Sequence, residues 1–294
     1  MLAYIQNIVI LFSINAILAL TLNFIMGFAG IFSLAHAIFF GVGAYTAAYV
    51  ALNFTDSLLI CMAAAMGVSA LLSMALALPA LRVRGEYFVA ASLGLQIIGV
   101  TIFSEWKSVT GGLGGMVGIP PPVLFGYTFT SIPQFVMLSL SVLLGVLIVL
   151  AFLVRGSFGR SLMAIRDSES AAQAYGKHVN AIKTLSVAVS AGLAALAGGL
   201  YAFYMSFVNV EAFTLNMSIL LMAMVIIGGT GTLLGPIVGA AIVMALPAAL
   251  TYLPFIPPGE LGTIQQIIYG AAMVVLMMYR PGGIVGGRSK EKSA

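Results

Sequence analysis

The chain has 294 residues, of which 62% are hydrophobic and only 7% charged, with a mean hydropathy of +1.15. A soluble domain averages about 25% charged residues, so a soluble fold is excluded and the chain is read as an integral membrane protein. Its 12 Lys and Arg form no dense basic run; this argues against a nucleic-acid partner and assigns the pI near 9.2 to the positive-inside bias of membrane proteins.

A bilayer core of about 30 Å needs roughly 17–25 apolar residues per helix. By that measure, spans are expected near 4–26, 30–52, 57–80, 87–104, 132–154, 184–205, 214–232, 236–253 and 263–279. The expected fold is an all-α polytopic membrane protein with about nine transmembrane helices, within a range of eight to ten, in a single domain over 1–294. No Lys or Arg precedes Arg82, so the positive flank of a cleaved signal is missing and the first span is read as retained. "GFAG" (27–30) and "GGTGTLLGP" (228–236) place several glycines at membrane depth and are expected to break or re-enter. Asn23 precedes the first of these, and Ser33 and His36 follow three apart on one helical face. Such backbone breaks are where a polar solute can pass, which makes Asn23, Gly30, Ser33, His36, Gly228, Gly229 and Gly231 the pathway candidates. His36 alternatively packs between helices as a hydrogen-bonded histidine. Tyr45 and Tyr49, one turn apart, suit the outer interface. Cys61 reads as a small packing residue, and Gly41 with Gly43, and Gly192 with Gly198 and Gly199, as close helix contacts.

With nine spans and the C-terminus inside, Arg82, Arg84, Arg155, Arg160, Arg166, Lys177, Lys183, Arg280, Arg288, Lys290 and Lys292 are cytoplasmic, and only Lys107 lies outside. Eleven of 12 basic residues on one side gives an N-out, C-in orientation. Two loops are long. The external stretch 105–131 is either a flexible link or the lining of a mouth. The internal loop 155–183 holds "GRSLMAIRDSESAAQAYGKHVN" (159–180), which gathers five charges in an otherwise greasy chain.

Within that loop, "RDSESAAQAYGK" reads as a short helix. Asp167 or Ser168 suits the N-cap, Glu169 the positive end of the dipole, Gly176 the C′ position and Lys177 the negative end. Ala171, Ala172 and Ala174 favour helix, and Leu162 and Ile165 share a face just before it. The loop is either a solvated segment on the membrane surface or a docking site. The chain has no phosphate-binding loop: "AAQAYGKH" lacks the first glycine, and His178 stands where Ser or Thr must hold magnesium. No cofactor is expected, and no enzymatic constellation of Ser/His/Asp, paired carboxylates or a metal cluster is seen.

The pattern "GRSLMAIRDSESAAQAYG" resembles the cytoplasmic coupling segment of ABC-importer permeases for branched-chain amino acids. The resemblance continues in order through "GFAGIFSLAHAIFFGVGAYTAA" (27–48), "LPALRVRGEYFVAASLG" (78–94), "TGGLGGMVGIP" (110–120), "AGLAALAGGLYA" (191–202), "LLMAMVIIGGTGTLLGPIVGA" (220–240) and "YGAAMVVLMMYRPGGIVG" (269–286). It covers nearly the whole chain, and "LRVRGEYF" points to the M-type permease. Two departures stand out. Ser170 occupies the position where the general importer loop has glutamate, the acid sitting one residue earlier at Glu169, and the chain is short for the type.

The resemblance implies a pore-forming subunit in the bacterial inner membrane. It also implies two ATP-binding cassette ATPase subunits, an H-type permease beside this chain, a periplasmic solute-binding protein, an amino-acid substrate and surrounding lipid. The ATPase contact is then expected at Gly159, Arg160, Arg166, Asp167, Glu169, Ala171, Ala172 and Gly176. Alternatives are an importer of the same architecture for urea, short amides or other amino acids, and an ATP-independent carrier or channel. Ion-coupled carriers use intramembrane carboxylates, and none of the eight acids falls near the middle of an expected span.

Overall fold

The computed structural model describes residues 2–80, 86–250, 261–279 and 282–285. Arg82, Arg84, Arg280, Arg288, Lys290 and Lys292 lie outside the described residues, and with them that part of the charge count.

The first span is α1 (Leu2–Asn23), which widens into a π-turn over Phe24–Phe28. The π-turn is closed by Ile31 N donating to the Ile25 carbonyl, and Gly30 then takes a left-handed φ of 69°. A residue with a Cβ rarely holds that conformation. Residues 29–35 run without helix until α2 begins (His36–Asn53). The expected span 30–52 is therefore shorter. Ser33 and His36 do not share a helical face, because Ser33 lies in the irregular stretch.

Next come α3 (Leu58–Ala80) and α4 (Glu86–Glu105). The stretch that follows is folded rather than a flexible link. It holds α5 (Lys107–Thr110), a 3-10 turn, β1 (Met116–Val117), β2 (Val123–Leu124) and β3 (Tyr127–Thr128). Ser131 and Gln134 form a capping box that starts α6 (Ile132–Arg155), with Pro133 in its first turn, where no intrahelical N–H is needed. After it come α7 (Ser157–Asp167), α8 (Glu169–Ala174) and α9 (Val179–Met205). The chain closes with β4 (Phe207–Val208), a 3-10 turn at Val210–Phe213, α10 (Leu215–Gly228), α11 (Gly235–Leu250) and α12 (Leu261–Tyr279). Among the described residues, five helices are long and apolar enough to cross a membrane, and α10, α11 and α12 are shorter apolar helices.

The loops collect at two ends. At one, β1 pairs antiparallel with β4, and Val123 N donates to the Asp56 carbonyl, joining the turns at 54–57, 105–131 and 206–213. At the other, residues 24–30, the α7–α8 loop, the α10–α11 turn and residues 284–285 meet through the bonds described below.

α1 and α9 are buried along most of their length, while α4 and α6 turn most of theirs outward. In lipid, helices associate through close backbone approach and hydroxyl bonds rather than through the hydrophobic effect. Both devices occur here. A Cβ on Gly43 would strike Ala195, and one on Gly198 would strike Phe40 O and Ala44 N, so the backbones of α2 and α9 touch. Ser69 Oγ donates to Ala191 O across α3–α9 at 3.0 Å, and Ser190 Oγ to Thr21 O across α9–α1 at 2.6 Å.

Tyr45 is a correction. It is buried, not interfacial, with its ring 4.9 Å from that of Phe103 and 5.6 Å from that of Phe213. The reason is the segment 209–214, which dips into the bundle and carries Phe213 onto the middle of α2. Tyr49 packs beside Phe54 near the end of the same helix.

Replacing Gly198 by leucine should wedge α2 from α9 and lower stability by about 1–3 kcal/mol, the usual cost of overpacking. Gly145, where a Cβ meets nothing within 4 Å, should accept alanine without loss. Thermal unfolding of the two purified variants in detergent compares them.

Candidate coupling site

The charged loop folds as a platform with a small core of its own. Ser168 Oγ accepts Ala171 N at 3.3 Å and caps α8, and Gly176, with φ 77°, ends it. Ile165 from α7, Ala172 from α8 and Val179 from α9 pack together with Ile182, while Leu162 plugs into the main core. Glu169 forms an ion pair with Lys183 that ties α8 to α9. At Gly159 a Cβ would run into the carbonyl of Val154, so a glycine permits the tight corner between α6 and α7.

The eight loop candidates therefore divide. Gly159 and Ala172 face inward, Glu169 is engaged with Lys183, and Arg160 donates to the carbonyl of Arg155 at 3.1 Å. Asp167, Ala171 and Gly176 are exposed. Tyr175, which sequence reasoning passed over, is 87% exposed at the tip beside Gly176. A lone aromatic ring among alanines and polar residues was the available signal, since a large ring left in water suits a partner surface.

Arg166 turns towards the membrane body. Its Nη1 donates to the carbonyl of Gly27 at 2.7 Å, while Nε and Nη2 hold Asp167 Oδ1 at 3.2 and 3.1 Å. Its stem lies over Gly30, where a Cβ would come within 2.9 Å of Arg166 Cγ. A Cβ on Gly231 would sit 3.6 Å from Nη1.

Beneath Arg166 the two glycine-rich stretches lie back to back. A Cβ on Gly27 would overlap the backbone of Gly231. Asn23 bridges them with both ends of its amide: Nδ2 donates to Thr232 O at 2.8 Å and Oδ1 accepts Gly231 N at 2.9 Å. Gly228 is pressed against Gly235, Gly229 against Gly283, and Val285 N donates to the Gly228 carbonyl at 3.0 Å. Five of the seven pathway candidates (Asn23, Gly30, Gly228, Gly229 and Gly231) thus belong to one packed junction, where Gly30 and Gly231 lie against Arg166. Ser33 and His36 stand apart from it. Ser33 Oγ accepts Ala35 N at 3.3 Å, and His36 Nε2 shares a 2.9 Å hydrogen bond with Thr21 Oγ1 between α2 and α1.

Residues 4–277 match the family model described as branched-chain amino acid transport system / permease component. The chain belongs to this family. The permease is 31% identical to the high-affinity branched-chain amino acid transport system permease protein LivM of Escherichia coli K12, over 95% of this chain and 69% of the relative. It is 29% identical to the protein of the same name from Salmonella typhimurium LT2, over 92% of this chain and 68% of the relative. A probable branched-chain amino acid transport permease protein LivM of Methanocaldococcus jannaschii is 23% identical over 68% of this chain and 64% of the relative. No solved structure matches. Its apolar helices and its family make the permease a multi-pass membrane protein of the branched-chain amino acid transport permease family, and its relatives are transport permease subunits.

Asn23→Ala would leave Gly231 N–H and Thr232 C=O without their side-chain partner in a buried setting. The expected loss is about 1–3 kcal/mol per abandoned group, read as a lowered unfolding temperature of the purified permease.

Proposed function

We propose that the permease is the pore-forming subunit of a binding-protein-dependent ABC importer that carries branched-chain amino acids across the bacterial inner membrane. In this reading its N-terminus is outside and the α7–α8 platform is cytoplasmic. Two separate ATPase subunits grip that platform, an H-type permease completes the pore, and a periplasmic binding protein delivers the solute. The family supports the assignment. The observation that carries the mechanism is the Arg166 bond to Gly27 O, together with the Asn23 bridge beneath it.

A lever must be stiff, and it must have two positions with different contacts. Stiffness comes from the small core around Ile165 and from the Glu169–Lys183 pair. The load point is the junction. Any displacement of α7 must either carry Gly27 and Gly231 with it or break the Arg166 bond. Because Gly27 ends α1 and Gly231 joins α10 to α11, a single arginine transmits the push to three membrane helices. The exposed tip, with Ala171, Tyr175 and Gly176, is left for the motor.

In proteoliposomes holding the full complex, Arg166→Gln should reduce leucine uptake at least tenfold while the ATPases still assemble and hydrolyse ATP, since a charge-assisted bond worth about 1.5–3 kcal/mol is lost. Tyr175→Ala should instead weaken co-purification of the ATPases. Normal uptake by both variants would refute the lever. A gradient-driven carrier is the competing reading, and the Glu211 carboxylate lining a cleft between α10 and α12 is the observation in its favour. Uptake by the permease without ATP would establish it.

A further inference from the structure

Segment 209–214 anchors an acid beside the packed helices through the buried Phe213. Phe213 is fully buried, its ring 5.0 Å from that of Phe40 and 5.6 Å from that of Tyr45, in the middle of α2. Its carbonyl accepts Gln96 Nε2 at 2.8 Å, and Gln96 sits halfway along α4. Glu211 precedes Phe213 within the same 3-10 turn, which rises only about 2 Å per residue. Glu211 itself is exposed, so its carboxylate opens outward beside the buried end of the turn. An ionised side chain beside apolar helices is costly unless water or a cation reaches it. Both salt bridges found among the described residues use other acids, Asp167 and Glu169.

What reaches Glu211 is a cleft of about 590 Å³ between this turn, α10 and α12. Glu211, Thr214, Asn216, Gln265, Gln266 and Tyr269 supply its polar lining, and Met217, Ile219 and Leu220 an apolar wall. The volume is that of an ordinary small-ligand site. α12 starts at Leu261, so Gln265 lies one turn from its end and Tyr269 two turns. The cleft thus runs inward from the end of the bundle that carries the β1–β4 pair. α10 begins at its floor, and the first turn of that helix has no side-chain cap.

The geometry points to this cleft as the seat where a zwitterionic, apolar amino acid rests on its way across. The carboxylate of Glu211 takes the ammonium group, and the amides of Asn216 and Gln265 with the first turn of α10 take the carboxylate. Met217, Ile219 and Leu220 take the aliphatic side chain. Among the described residues that line the cleft none carries positive charge, so a carboxylic acid without an amine would be held poorly beside Glu211. This assignment rests on the importer reading above and gives its solute a place.

The test uses the full complex in proteoliposomes, with the buried Cys61 replaced by serine and Gln265→Cys as the reporter. A cationic methanethiosulfonate added outside should label the reporter about fivefold or more faster than an anionic one, as a fixed negative charge in a low-dielectric cleft dictates. Glu211→Gln should bring the two rates together. Millimolar leucine should slow labelling, while leucinamide and 4-methylpentanoate, each lacking one charge, should protect less. With the native residue at 265, Glu211→Gln should cut ATP-driven leucine uptake by about tenfold or more, the loss that follows removal of a buried charge partner. The importer reading fails if unaltered complex shows no ATP-driven uptake. The cleft assignment alone fails if uptake is ATP-driven but the reporter shows no charge preference, or if Glu211→Gln transports normally. Loss of the H-type permease from purified Glu211→Gln complex would also overturn it, by making the cleft a subunit contact.

Discussion

A helix interrupted inside a bilayer exposes N–H and C=O groups that no water can satisfy, and each must find a partner within the protein. The rest of this structure follows from how that requirement is met. At the break between α1 and α2, Leu34 N donates to Ser92 Oγ, Ala37 N to Ser218 Oγ, and Gly27 O accepts Arg166. At the α10–α11 turn, Asn23 serves Gly231 and Thr232, and before α10 Gln96 serves the carbonyl of Phe213. Asn23, Ser92, Gln96 and Ser218 each serve the backbone of another element. The breaks are consequently cross-linked to one another rather than loose.

That cross-linking decides how motion can travel. A packed interior does not deform gradually, so a joint between rigid elements shifts as a unit or not at all. Here the joint is made of glycine backbones in contact, clamped from within by an amide and from the loop side by a guanidinium. Arginine suits the position because its fork reaches Gly27 O with one nitrogen while two others hold Asp167. Lysine, with a single ammonium, could not do both in that geometry.

The short length of α10 belongs to the same design. With 14 residues it covers about 21 Å at 1.5 Å per residue, less than a full crossing. The deficit is made up by the turn at Val210–Phe213, which enters the bundle to meet it. Burial of Phe213 against Phe40, Tyr45 and Phe103 anchors that turn, and Glu211 is held beside it by covalent geometry. An exposed carboxylate and an open cleft beside it are two consequences of one packing decision.

Much of the architecture was written in the sequence. Apolar run lengths located the helices to within a few residues, because span length is set by bilayer thickness and not by neighbours. The loop helix was legible as well, since Ser168, Glu169 and Gly176 act through local capping. Side-chain partnerships across the bundle were not. Arg166 reads as one surface charge among five, yet it reaches a carbonyl 139 positions away. Asn23 finds its partners more than 200 residues on, and Tyr45 loses the interface to a segment that dips over it. Glu211 is a loop acid as the sequence suggests, but the cleft that α10 and α12 form beside it is invisible along the chain. Composition and apolar run length determined that this chain is a multi-pass membrane protein built from apolar helices; only tertiary packing decided which glycines touch, which charge faces inward and which acid borders a cleft, because those depend on contacts between residues that the chain itself keeps far apart.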